Sequence, residues 1–247
     1  MKKINRLSLK SILLLVLAGC LLIGGALGTA VAAPLVRSEY YSGGVELYDI
    51  GVTLVENGTA VSSRNYSSAS GYVWDESYGA LLGSLVPEGE EFHMGQTYPE
   101  AISVSNSGSI DEFVRVSVYR YWQDKNGRKL TTLSPEMIDL HFTEGSGWVV
   151  DPSASSTERT VLYYSSVLAP GAASAPLTDS LTVNGQLPYK VTQSTKDNVI
   201  TTTYDYEDVT FQIEVQADAV QTHSAEAAIK SAWGRTVTVS GDQLSLG

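Results

Sequence analysis

The sequence predicts an all-β protein: a jelly-roll-like β-sandwich with a short C-terminal helix, preceded by an N-terminal signal helix. Three observations carry that expectation. β-Branched and aromatic residues alternate with polar ones at period two, most clearly over Phe113–Trp122. Turn signals such as Asn57-Gly58, Asn126-Gly127, Pro170-Gly171 and Asn184-Gly185 punctuate the chain at strand-length spacing. One stretch after Thr222 has helical spacing between a capping serine and a glycine. Short strands separated by turns are the pattern of a sandwich or jelly roll.

The first 32 residues read as an export signal. Lys2, Lys3, Arg6 and Lys10 precede an apolar run from Ile12 to Ala33 that ends in small residues. Ala30-Val31-Ala32 forms an A-x-A site, so Ala30 and Ala32 mark the cleavage point and Ala33 the expected mature start. Two alternatives stay open. Leu17-Ala18-Gly19-Cys20 resembles a lipobox, and the apolar run is long enough to remain as a membrane anchor. The chain is therefore divided into a signal over 1–32, a lead over 33–44 and a sandwich domain over 45–247.

The charge fits an exported domain. The full chain holds 16 basic and 27 acidic residues, a net charge of −11. Removing the four basic residues of the signal leaves 12 against 27, or −15, which argues against nucleic acid or anionic lipid as partners. Contact with the membrane is expected only through the signal before cleavage. The single cysteine, Cys20, lies inside the signal, so the mature domain has to rely on its core without disulfides.

The elements follow in order. The lead 33–44 carries Leu35, Val36, Tyr40 and Tyr41 ahead of Ser42-Gly43-Gly44, a hinge that lets this segment act as a donor strand. Residues 45–56 read as a strand with a bulge at Gly51, and 59–80 as a long loop or a pair of weak edge strands. Residues 101–104 are a short strand ending at Asn106-Ser107-Gly108. In Phe113–Trp122, Val114, Val116, Val118, Arg120 and Trp122 share one face; Phe113, Arg115, Ser117, Tyr119 and Tyr121 share the other. Further strands are expected over 148–150, 159–166, 181–183 and 209–215. Ser224 caps a helix whose Ala228, Ile229, Ala232 and Trp233 form one face, with Trp233 as its anchor, and residues 236–239 return as a strand.

No catalytic pattern stands out. His93, His141 and His223 are scattered, and neither an H-E-x-x-H zinc motif nor a G-x-S-x-G elbow occurs. The pairs Glu90-Glu91 and Asp111-Glu112 adjoin turns, where solvated acids are expected. Asp205, Glu207 and Asp208 could contribute oxygen ligands for calcium, but they lack the order of an EF-hand loop. No catalytic, metal or cofactor residue is therefore assigned. Tyr66, Tyr72, Trp74 and Tyr78 lie in the serine-rich stretch, outside the regular alternation, and are the aromatic residues open to a binding role.

Two stretches are specific in a different way. The first runs Tyr98-Pro99-Glu100-Ala101-Ile102-Ser103-Val104-Ser105-Asn106-Ser107-Gly108 and on through Asp111 to Val116. The second runs from Val215 through Asp218 and Thr222 to Ala232-Trp233-Gly234. Both resemble the TasA/camelysin family of Gram-positive bacteria, whose members carry a signal processed by a SipW-type peptidase. The resemblance implies a jelly-roll fold and a secreted, extracellular or cell-surface structural protein of the biofilm matrix that forms fibres. Its partners would be copies of itself, head to tail, and a signal peptidase during export. The alternative it implies is a secreted camelysin-like metallopeptidase, for which this sequence supplies no recognisable zinc motif. A surface adhesion module is a third, weaker reading.

Overall fold

The computed structural model describes residues 48–185 and 209–247 in full, and the backbone of 190–196 and 199–205. The chain divides after Glu46, and all of these residues belong to the second unit, Leu47–Gly247. The signal, the lead and the residues 45–47 lie outside the described residues.

In chain order the strands are β1 (Ile50–Glu56), β2 (Thr59–Tyr66), β3 (Trp74–Ser77), β4 (Thr97–Pro99), β5 (Ile102–Asn106), β6 (Glu112–Asp124), β7 (Lys129–Leu130), β8 (Ile138–Phe142), β9 (Trp148–Val150), β10 (Arg159–Tyr164), β11 (Thr178–Val183), β12 (Lys190–Lys196), β13 (Val199–Asp205), β14 (Val209–Gln221), β15 (Val237–Ser240) and β16 (Gln243–Leu246). One α-helix, α1 (Ala225–Trp233), separates β14 from β15. All pairings are antiparallel, as turn-linked strands favour.

The strands build a layered sandwich. One sheet has the order β3-β2-β1-β5, a second β14-β6-β10-β9 with β7 on β6, and a third β4-β11-β8. Hydrogen bonds from Leu177 N–H to Ile102 O (2.7 Å) and from Glu100 N–H to Asp179 O (2.9 Å) join the first and third into one layer. That layer packs across from the second sheet. Val52, Leu54, Ile102, Val104, Leu140 and Leu181 meet Val114, Val116, Val118, Trp122 and Leu162 in a single apolar core.

The other face of the second sheet is also covered. Phe113, Val161 and Tyr163 point away from the sandwich core and bury against Ala225 and Ile229 of α1 and against Val237 and Leu244 of the β15–β16 hairpin. β10 is thus apolar on both faces, and β6 buries Phe113 on the face away from the sandwich core.

Several expectations meet a different structure. The irregularity in β1 falls between Leu54 and Val55, opposite β2, and not at Gly51. Gly51 is closely approached for another reason: a Cβ there would stand 2.2 Å from Asn65 Oδ1 and 2.8 Å from Ser107 Oγ, so those side chains would have to shift. Within residues 59–80, β2 and β3 are strands, β3 at the edge of the sheet and β2 between β3 and β1. They follow an Asn57-Gly58 turn with φ of 48° and 83°, a left-handed pair that suits a tight hairpin. Ser224 adopts a left-handed φ of 52° and makes no side-chain cap bond, whereas Gly234 closes α1 at φ 71° as expected.

Candidate functional site

The second sheet ends at β14, a 13-residue strand whose ladder partner among the described residues is β6. Its other edge borders a groove of about 730 Å³, along which every residue from Phe211 to Asp218 is placed. Val52 and Leu54 of β1, Val61 of β2 and Leu81-Leu82 form the apolar floor and facing wall. Ile213, Val215 and Ala217 of β14 turn the same way, because alternate residues of a strand share a face.

Polar side chains form the rim. Arg64 Nε lies 2.8 Å from Glu76 Oε1 on β3, and the Arg64 guanidinium stacks 4.4 Å above the Trp74 ring. The same guanidinium reaches across to Asp218 on β14, whose second oxygen takes Arg115 Nη2 at 2.6 Å. Glu76, Arg64, Asp218 and Arg115 therefore strap the first sheet to the second at one end of the groove. The Tyr78 hydroxyl donates to Glu76; this bond, ahead of Arg64, holds the Glu76 carboxyl below its ordinary range and raises the Tyr78 hydroxyl.

The wall is fixed from behind. Leu82 donates its backbone N–H to Glu56 Oε1, and Glu56 and Glu100 are both buried where β1 pairs with β5. Close backbone approach shapes the same segment, since a Cβ on Gly79 would stand 1.9 Å from Val61 O.

The residues singled out from sequence fare unevenly. Ala30, Ala32, Ala33, Leu35, Val36, Tyr40 and Tyr41 all lie outside the described residues, as do Glu207 and Asp208. Tyr66 gathers Tyr72 and Trp74, with ring centroids 5.8 and 5.4 Å away, while Tyr78 stands apart on the rim and is almost fully exposed. The histidines go separate ways: His93 N–H donates to the Tyr98 hydroxyl, His141 Nδ1 sits 2.9 Å from Asp179 Oδ1, and His223 follows β14. Among the described residues, no group of three or more His, Cys, Asp or Glu side chains could hold a metal ion.

Glu112 is a correction. Expected to be solvated beside its turn, it is fully buried, with Oε1 accepting the Gly51 N–H at 2.9 Å. Burial pushes its carboxyl up to about 8, against the opposing pull of the Gly51 bond. Glu56 and Glu100 are buried too and were not singled out. No protein-family model, characterised protein or solved structure matches this chain.

Proposed function

We propose that the mature chain is a secreted structural subunit of an extracellular or biofilm matrix that assembles head to tail by strand addition. The observation that supports this reading is the second edge of β14, which has no ladder partner among the described residues and runs beside an apolar groove. An incoming extended segment would satisfy the edge N–H and C=O groups, and its alternate side chains would fill the groove. The proposed donor is residues 33–41 of a neighbouring copy, with Leu35, Val36, Tyr40 and Tyr41 as its apolar side chains. The resemblance to fibre-forming members of the TasA/camelysin family favours the same reading.

The contact is heterologous. Each subunit gives its lead and receives another, so the interaction propagates into a filament and does not close as a dimer. Export would then control assembly, because the donor becomes free when the signal is cleaved. Electron microscopy of chains starting at Ala33 and at Gly43 tests this. Filaments are expected from the first and not from the second; equal filament formation by both would overturn the donor assignment.

A further inference from the structure

The groove wall rests on two acids that no cation pairs with among the described residues. Glu56 ends β1 and Glu100 precedes β5, and both are buried, with exposures of 5% and 0%. The groups acting on the Glu100 carboxyl are Glu56 and Asn57. Asn57 Nδ2 donates to Glu100 Oε2 at 3.1 Å, while its Oδ1 accepts the Ala101 N–H at 2.9 Å. Glu100 Oε1 meets no donor among the described residues. From the adjacent β11, Asp179 turns its carboxylate to His141 and Ser180 and offers Glu100 only its backbone oxygen.

Two carboxyl groups buried near each other where β1 meets β5, with Glu56 opposite Ile102 in register, cannot both be ionised at low cost, and one proton between them removes the repulsion. What the pair supports is strained. Leu82, whose amide Glu56 accepts, has a φ of 66°, a left-handed conformation that a leucine rarely adopts.

We propose that Glu56 and Glu100 form a protonation latch: sharing one proton, they hold the Leu82 amide and seat residues 79–85 as the groove wall, and losing it they release that wall. Burial first, then the neighbouring Glu56, raises the Glu100 carboxyl to about 7, which puts the release near neutral pH. Above that range the carboxylates separate, the Leu82 bond weakens, and the backbone strain favours opening. The latch rests on the strand-acceptor reading only for what the groove is used for.

Hydrogen exchange of the full mature chain tests it, with rates corrected for intrinsic pH dependence. Protection of residues 79–85 is expected to fall at least tenfold between pH 5.5 and 8.5, while β6 stays protected. Glu100→Gln supplies a permanent neutral donor to Glu56 and should keep the wall protected at both pH values. Unchanged protection in the wild type, or an undiminished pH effect in Glu100→Gln, would overturn the latch. If that variant does not fold, the carboxyl carbon of Glu100 in the wild type, followed by NMR, decides: an apparent pKa below 5.5 overturns the proposal, and one near 7 supports it. A synthetic peptide of residues 33–41 separates the two readings. Loss of wall protection with no peptide binding at either pH sustains the latch and removes the strand donor.

Discussion

Glu112 lies on the same face of β6 as Val114, Val116 and Val118, one step before the apolar run begins. Glu56 stands in the same relation to Val52 and Leu54, and Glu100 to Ile102 and Val104. Each buried acid extends an apolar alternation by one position onto the core face. That parity is present in the sequence, but the neighbouring turn residues point toward solvent and mask it. For Glu112 the consequence is a pH dependence with a defined sign. Its folded carboxyl titrates at about 8, far above an ordinary glutamate, so it stabilises the fold fully below about pH 4.5. That contribution is lost as pH rises from there through 8, since the unfolded chain ionises first. Urea titration should show Glu112→Gln abolishing this loss, leaving the variant more stable than wild type at pH 8.5 by on the order of 3 kcal/mol. A parallel pH profile for the two proteins would show that Glu112 is not the group responsible.

At the scale of elements, β6 is central as its alternation predicts, paired to β14 on one side and β10 on the other. Val116 has no exposed surface, so Val116→Asp should cost on the order of 3 kcal/mol or more, read as a fall of many degrees in melting temperature. The helix is a different case. Its existence and its closing glycine are legible from Ala225–Gly234, but its anchor is not. Ile229 is fully buried, while Trp233 lies half-buried with its ring edge-on to Tyr163 at 5.5 Å and under the Arg115 guanidinium at 5.1 Å. Helical spacing marks both residues as inward, and only the shape of the covering hairpin decides how deep each sits. Ile229→Ala should therefore cost about 3 kcal/mol, and Trp233→Ala less, about 2 kcal/mol. Chemical denaturation of both variants orders them; a larger loss for Trp233→Ala would place the anchor back at the indole.

At the scale of the molecule, the groove exists because, among the described residues, the second sheet stops at β14 while the first carries on past it to β2 and β3. The strand over 209–215 could be read from its residues, but its position as an edge could not. That depends on the 13-residue register against β6 and on the long return from β11. Long open edges invite unwanted pairing, and this one carries Glu214, Asp218 and the Arg64 strap as guards. The guards stand at the rim, so the groove itself can be blocked independently. Ala217 lies opposite Val116 in register, faces the floor, and borders the open volume. Ala217→Trp would place an indole into the groove, where about 730 Å³ is available, without displacing the packed core. We expect its melting temperature to stay within a few degrees of wild type, because the added ring fills open space. We also expect it to lose both filaments and binding of the 33–41 peptide, the latter followed by fluorescence anisotropy. Filaments that persist in a folded Ala217→Trp protein would mean that the strand, if one is added, docks at some other edge.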